Sequence, residues 1–307
     1  MEARNRARSN ARACDILRNA VVGDSDVLDV LRAWRFKPNK SRKNVTPDGA
    51  PFVYSETMGL VRSRTGRIAM TEITRTYENV FKLLCRWLVD NSPPAQYPFP
   101  FTSISVNYDY GAKAHRDGNN LGVSLTKSFG DFAGGQLLYW GEDDGLSLVE
   151  KLRGQDARSI DTRHGMLLFD GWRAHAAAPF QGERYSLAFC TMHQYGEARR
   201  TDVESLVSCS LVWPTDDALR YYACLLGAPK GYIAGSRTQS ILKYVGETES
   251  AASRRWVSCV ATLVGAVLKH VLTFAALTAT ILGRTDVALR DLLLVRVCPA
   301  RTCEEIL

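Results

Sequence analysis

The chain has five histidines, at positions 115, 164, 175, 193 and 270, and two of them stand where they could do chemistry. His115-Arg116-Asp117 is an H-x-D at the end of a strand that begins near Ile104. In an extended chain, residues two apart point to the same face, so His115 and Asp117 can bind one metal ion together. A second imidazole from His175 completes a set of two nitrogens and one carboxylate, a ligand set suited to iron(II). Three protein ligands leave the other side of such an ion open to small molecules. A lone H-x-D is as often an exposed turn pair, so the surrounding pattern has to decide.

That pattern continues downstream. Gly165-Met166-Leu167-Leu168-Phe169-Asp170 reads as a buried strand leading to His175, which lies 58 residues beyond Asp117. Nine residues after His175 comes Arg184-Tyr185-Ser186, opening an apolar strand. Arg184 and Ser186 share a face there, and a guanidinium fork beside a hydroxyl can grip a carboxylate. His164 competes for the third ligand position, but it precedes a strand entrance and lies too far from Arg184. His193 falls at the far end of the Arg184 strand. His270, beside Lys269 in an apolar run, reads as structural. Trp140 and Trp172 flank the expected mouth of the site and serve either substrate contact or packing. Asn119 and Asn120, just past the first two ligands, either meet substrate or make the turn. The acids Glu142, Asp143 and Asp144 read as a solvated hairpin rather than a metal site.

The elements that must position these residues follow from periodicity. Residues 1–23 look like a basic tail. Asp24-Ser25-Asp26 offers an N-cap for a helix through Val27, Leu31 and Trp34. Pro38, Pro47, Gly49 and Pro51 break 36–56 into loop. Ile73, Tyr77, Val80, Phe81, Leu84 and Leu88 recur at helical spacing over 71–90, a helix ended by Ser92-Pro93-Pro94. From 101 to 194 the texture changes to short strands, Thr102–Tyr108, Gly122–Thr126, Gly135–Trp140, Met166–Phe169 and Tyr185–Met192, with Gly and Asp turns between them. Such strands without intervening helices predict an antiparallel sandwich or jelly roll. A further helix, Ala218–Leu226, opens at Pro214-Thr215-Asp216-Asp217. The organisation expected is tail 1–23, helical and loop support 24–95, β core 96–200, helical extension 201–250 and hydrophobic segment 251–307.

Taken together, His115-Arg116-Asp117, Phe132-Ala133-Gly134-Gly135-Gln136-Leu137, Leu168-Phe169-Asp170-Gly171, His175 and Gly182-Glu183-Arg184-Tyr185-Ser186 resemble the double-stranded β-helix dioxygenases that depend on iron(II) and 2-oxoglutarate. The resemblance covers about residues 101–194. Within that superfamily, Gly130-Asp131-Phe132-Ala133-Gly134-Gly135 and the Phe-Asp-Gly before His175 are similar to the methylcytosine dioxygenases and base-J thymidine hydroxylases. Prolyl 4-hydroxylase-like enzymes share the elements more loosely, and several carry Lys where this chain has Arg184. The resemblance implies an α+β fold, a jelly-roll core with N-terminal supporting helices and a C-terminal helical extension. It implies iron on His115, Asp117 and His175, and 2-oxoglutarate on the metal with its far carboxylate held by Arg184 and Ser186. Tyr108 would add a hydrogen bond to the co-substrate, and O2 would be consumed as succinate and CO2 are released. Substrate contacts would fall on Asn119, Asn120 and Trp172. The substrate implied is a nucleic-acid base, or alternatively a prolyl or other protein side chain. A jelly-roll module that binds without catalysis is the reading from another class.

Composition bounds the partners. Of the 307 residues, the first 67 hold fourteen Lys or Arg against seven acids, an excess equal to the whole formal net charge of +7. That basic N-terminal stretch suits nucleic acid, an acidic protein or an anionic surface, or else is a solvated tail. Eight scattered cysteines without a C-x-x-C, and no secretory h-region, point to an intracellular setting in nucleus, cytosol or organelle. Residues 1–18, Arg-rich with two acids, are also compatible with a transit peptide. Trp256–Leu282 is apolar on all faces but carries Lys269 and His270 at its centre. It reads as a buried helical pair, with a membrane anchor as the alternative, which would allow a membrane-tethered oxidoreductase acting on lipid.

Overall fold

The computed structural model describes residues 2–63 and 65–226, all within one unit, Met1–Val245. The hydrophobic segment 251–307, with Trp256–Leu282, and the extension beyond residue 226 lie outside the described residues. Among the described helices none is long and apolar enough to cross a membrane.

The helices are α1 (Glu2–Ile16), α2 (Asp24–Ala33), α3 (Glu72–Thr76), α4 (Glu78–Asn91), α5 (Arg200–Ser208) and α6 (Asp216–Leu226). The strands are β1 (Pro38–Asn39), β2 (Val53–Arg62), β3 (Ile68–Met70), β4 (Ser103–Tyr108), β5 (Asn120–Phe129) and β6 (Phe132–Gly134). There follow β7 (Leu137–Tyr139), β8 (Arg158–Ile160), β9 (Leu167–Phe169), β10 (His175–Ala177), β11 (Phe180–Gly182) and β12 (Tyr185–Met192). A large antiparallel sheet runs β1-β2-β4-β12-β5-β9 with β3 against β2, a small one runs β10-β7-β8, and β11 pairs β6.

The pleat of the large sheet divides its residues in two. Ile104 and Val106 of β4, Leu125 and Phe129 of β5, and Leu187 and Phe189 of β12 are buried in the main core with α4. Their neighbours Ser105, Asn107, Thr126, Ser186 and Ala188 turn to the opposite side. The helix layer supplies Phe81, Leu84, Trp87 and Leu88. Trp87 sets its ring 5.2 Å from Phe129 and 6.0 Å from Phe189. Each such side chain contributes about 1.5–3 kcal/mol on burial. Asp24 joins the layers, accepting from Trp87 Nε1 at 2.9 Å and pairing with buried Lys127 of β5 at 3.0 Å.

Several expectations need correction. Residues 2–16 form a docked helix, not a tail. Ser9, Ala13 and Ile16 lie buried at i, i+4 and i+7, Ser9 Oγ donates to Ala33 O, and Asn10 Nδ2 donates to Thr76 O. Its arginines mask this stripe because two of the three contact residues are small. The reading of 36–56 as loop holds only as far as Phe52, broken by the two residues of β1, because Val53 opens the ten-residue β2. Glu56 and Gly59 weakened that strand's signal. The 71–90 helix is two helices, since Tyr77 leaves helical geometry and stacks on Trp34 at 4.8 Å. Gly23 is the N-cap of α2, its amide held by Asp26, so Asp24 is free to face α4 and β5.

Ala13→Asp would place a charge in the α1 contact. The expected result is a fall of several °C in Tm, from about 1–3 kcal/mol of lost stability, with protease cutting within residues 1–16. Unchanged Tm and unchanged cutting would show that α1 is not docked.

Candidate active site

The site lies between the two sheets; β4 ends at Tyr108, so His115 and Asp117 stand not at a strand's end but in the segment that joins β4 to β5. His115 and His175 form an isolated antiparallel bridge, each amide donating to the other's carbonyl at 3.0 Å. Their Nδ1 atoms face the carbonyls of Lys113 (2.8 Å) and Arg173 (2.9 Å). A carbonyl can only accept, so Nδ1 carries the proton and each Nε2 keeps its lone pair for a metal. Asp117 is fixed by its amide on Gly171 O at 2.7 Å and by Asn120 Nδ2, which donates to its Oδ2 at 3.0 Å. Its carboxylate oxygens lie 3.7 Å from His115 Nε2 and 3.9 Å from His175 Nε2. All three ligand atoms fall within 4.8 Å of one another, so one ion can touch all of them. Burial, then the neighbouring His175, pulls the His115 pKa down to about 4 against the opposing pull of Asp117. The ring is therefore neutral at neutral pH, the form that binds metal.

These ligands open on a cavity of about 90 Å³ whose lining includes Asn107, Tyr110, Thr126, Ser186 and Arg184. Arg184 is 6% exposed, yet among the described residues no carboxylate pairs with it, and its Nε has no hydrogen-bond partner. Its Nη2 donates to Ser128 Oγ at 3.0 Å, and its guanidinium lies 5.5 Å from the Phe132 ring and 5.4 Å from the Phe180 ring. Burial lowers its pKa to about 10, with the Tyr110 phenol opposing, so it stays charged at neutral pH. A buried cation left without a counter-charge is costly. The donor set at one wall and the unpaired guanidinium on another fit a small diacid that chelates a metal with one end.

A larger cleft of about 560 Å³ shares Arg42, Ser105 and Asp117 with this cavity. Asn119, Asn120 and exposed His193 line it, and among the described residues Asp117 is the one acid on its wall.

The structure therefore brings together His115, Asp117, His175, Arg184 and Ser186. It does not bring Tyr108. That side chain is on the helix face of β4, stacked on Tyr185 at 4.8 Å and Phe36 at 5.4 Å. The cavity side belongs to Asn107, which donates to Ser186 Oγ at 3.2 Å and accepts from Tyr110 Oη at 3.1 Å. Strand parity with Ser186 carried that signal. Trp172 lines neither cavity and instead ties down the Asn120 carbonyl through Nε1 at 2.9 Å. Trp140 is buried packing, with Nε1 on Arg153 O. His164 is 85% exposed beside Asp161, away from the ligands.

The hairpin reading of 142–144 fails for Asp143, whose side chain is 1% exposed. It receives Arg116 Nε and Nη2, both at 2.6 Å, and the Ala174 amide at 2.7 Å. Burial works against its ionisation, but Arg116 and the Ala174 and Gly145 amides outweigh that and hold its pKa below the ordinary value. Ser128, Arg42 and the Arg116–Asp143 pair were missed, because none stands in a spacing that signals chemistry.

Gly135 explains one motif. At φ +70 its missing Cβ would lie 2.8 Å from Arg184 Nε and 3.1 Å from Phe132. Gly135→Ala should therefore displace Arg184, weakening the binding of a small diacid about tenfold or more while metal affinity holds, as read by calorimetric titration. Equal loss of both affinities would contradict this.

No family model matches the chain, and no curated protein matches it. Among solved structures it is similar to NgTET1 in complex with 5mC DNA, at 14% identity and a TM-score of 0.32 over 49% of this chain and 67% of that one. It is also similar to an oxidoreductase of the 2OG-Fe(II) oxygenase family from Burkholderia pseudomallei, at 16% identity and a TM-score of 0.38 over 56% of this chain and 80% of that one.

Proposed function

We propose that this chain is an iron(II)- and 2-oxoglutarate-dependent dioxygenase that hydroxylates a C–H bond of a macromolecular substrate, with a nucleic-acid base as the favoured target. The two sheets are read as a double-stranded β-helix with the site between them. One observation carries the proposal: the buried cation Arg184, without a carboxylate partner among the described residues, shares a cavity with His115, Asp117 and His175. When bound, iron and 2-oxoglutarate would supply the oxidising power, with O2 consumed and succinate and CO2 released.

The chain's own residues set the geometry. His115 and His175 present Nε2 because the Lys113 and Arg173 carbonyls hold Nδ1. Asn120 keeps the Asp117 carboxylate turned inward. Arg184, steadied by Ser128, would hold the far carboxylate, together with Ser186, which accepts from Asn107. Arg42, held by Ser55 Oγ at 2.7 Å, stands where the small cavity meets the larger cleft.

The larger cleft supports a polyanionic substrate. Among the described residues its wall carries Arg42 and Arg62 and no acid beyond Asp117, and Lys40, Lys43 and Arg67 are exposed on the same two segments of chain. Amide side chains such as Asn44, Asn119 and Gln194 offer paired donors and acceptors of the kind that read base edges.

Two assays test this reading. With iron(II) and ascorbate in air, wild type should convert 2-oxoglutarate to succinate, His175→Ala should lose at least about 100-fold, and Arg184→Leu should raise the KM for 2-oxoglutarate about 10–100-fold. Absence of turnover in folded wild type would favour a binding module. Oligonucleotide affinity should fall on the order of 100-fold over a fourfold rise in salt if Lys40, Lys43, Arg62 and Arg67 meet phosphates. Hydroxylation of peptides with no oligonucleotide binding would move the substrate to a protein side chain.

A further inference from the structure

The geometry points to Asp143 as a positioning residue that sets the spacing between the two halves of the metal site, acting through Arg116 and the Ala174 amide. The inference rests on reading His115, Asp117 and His175 as metal ligands. Those ligands come from two separate segments, 115–117 and 175, and an ion bound by both is sensitive to the distance between them. On the metal side they are joined by the His115–His175 bridge and by the Asp117 amide on Gly171 O. Arg116, between two residues that face the candidate metal site, points the other way, to Asp143.

Behind the site, one carboxylate reaches both segments. Asp143 Oδ2 accepts Arg116 Nε at 2.6 Å and the Ala174 amide at 2.7 Å, while Oδ1 accepts Arg116 Nη2 at 2.6 Å and the Gly145 amide at 3.1 Å. Thus the residue between the first two ligands and the residue preceding the third hang on the same group. The turn that carries it is pinned as well. The Asp143 amide donates to Trp140 O at 3.1 Å, the Trp140 amide donates to Ala174 O at 3.0 Å, and Arg116 Nη2 also donates to Ser147 O at 2.9 Å. A buried ion pair adds little net stability over a well-packed apolar pair. A two-pronged guanidinium–carboxylate contact fixes distance and orientation, which is what two ligand segments require.

The test is titration of metal-free full-length protein with manganese(II), alongside Tm. Asp143→Asn and Arg116→Met should each weaken metal binding about tenfold, and the double variant should lose little more than either, because the pair acts as a unit. Asp202→Asn supplies the comparison. Asp202 is also buried and paired with an arginine, Arg75 at 3.0 Å, but lines neither cavity. It should lower Tm and leave manganese affinity unchanged. Wild-type manganese affinity in Asp143→Asn, or an equal loss in Asp202→Asn, would overturn the inference. If Asp143→Asn does not fold, Arg116→Lys, which keeps the charge and loses the fork, decides by the same criterion. His175→Ala separates the two claims: unaltered manganese binding there would sink the metal-site reading itself.

Discussion

The alternation of side chains across β4, β5 and β12 is the constraint on which everything else depends. One face of the large sheet must be covered by α4 and its neighbours, so it takes Ile104, Val106, Phe129, Leu187 and Phe189. Every second residue is then forced to the other side, and there the chain places Ser105, Asn107, Thr126, Ser128 and Ser186. The apolar contact that stabilises the sheet is the same contact that aims the polar set into the cavity. A one-residue slip of β12 would bury Ser186 under α4 and expose Leu187 to the ligands.

On that frame rests a single unpaid electrostatic demand. Taking a guanidinium out of water costs several kcal/mol, and two aromatic rings and one hydroxyl meet only part of it. Phe132 and Phe180 come from the β6–β11 pair, Ser128 from β5 and Gly135 from the turn after β6, so three strands and a turn cooperate to hold one cation. A structural arginine would have found an acid. Its unsatisfied Nε calls for a group that brings negative charge, while the histidines and Asp117 call for a cation.

The cluster of His115, Asp117 and His175 was legible because its chemistry is written in local spacing: an i, i+2 pair in one extended segment, then a lone histidine before an Arg-x-Ser. The antiparallel strands were legible from alternation, with Tyr185–Met192 read at its true limits. What failed needed register or burial. Tyr108 is near the ligands in sequence, but its pairing with Tyr54 and Tyr185 puts it on the helix face. Asp143 looks like any turn acid until Arg116, 27 residues away, is brought to it. The basic N-terminus hid α1, since Ser9 and Ala13 pack well while contributing almost no hydrophobic signal. The short strands β8, β10 and β11 exist only because partners impose them.

The most direct measurement is an anaerobic titration of iron(II) and then 2-oxoglutarate, followed by visible absorption, in wild type, His175→Ala and Arg184→Leu. The account predicts a weak charge-transfer band in wild type, none in His175→Ala, and in Arg184→Leu the same band at about 10–100-fold higher 2-oxoglutarate. A folded wild-type protein that gives no band, or an Arg184→Leu titration identical to wild type, would contradict it.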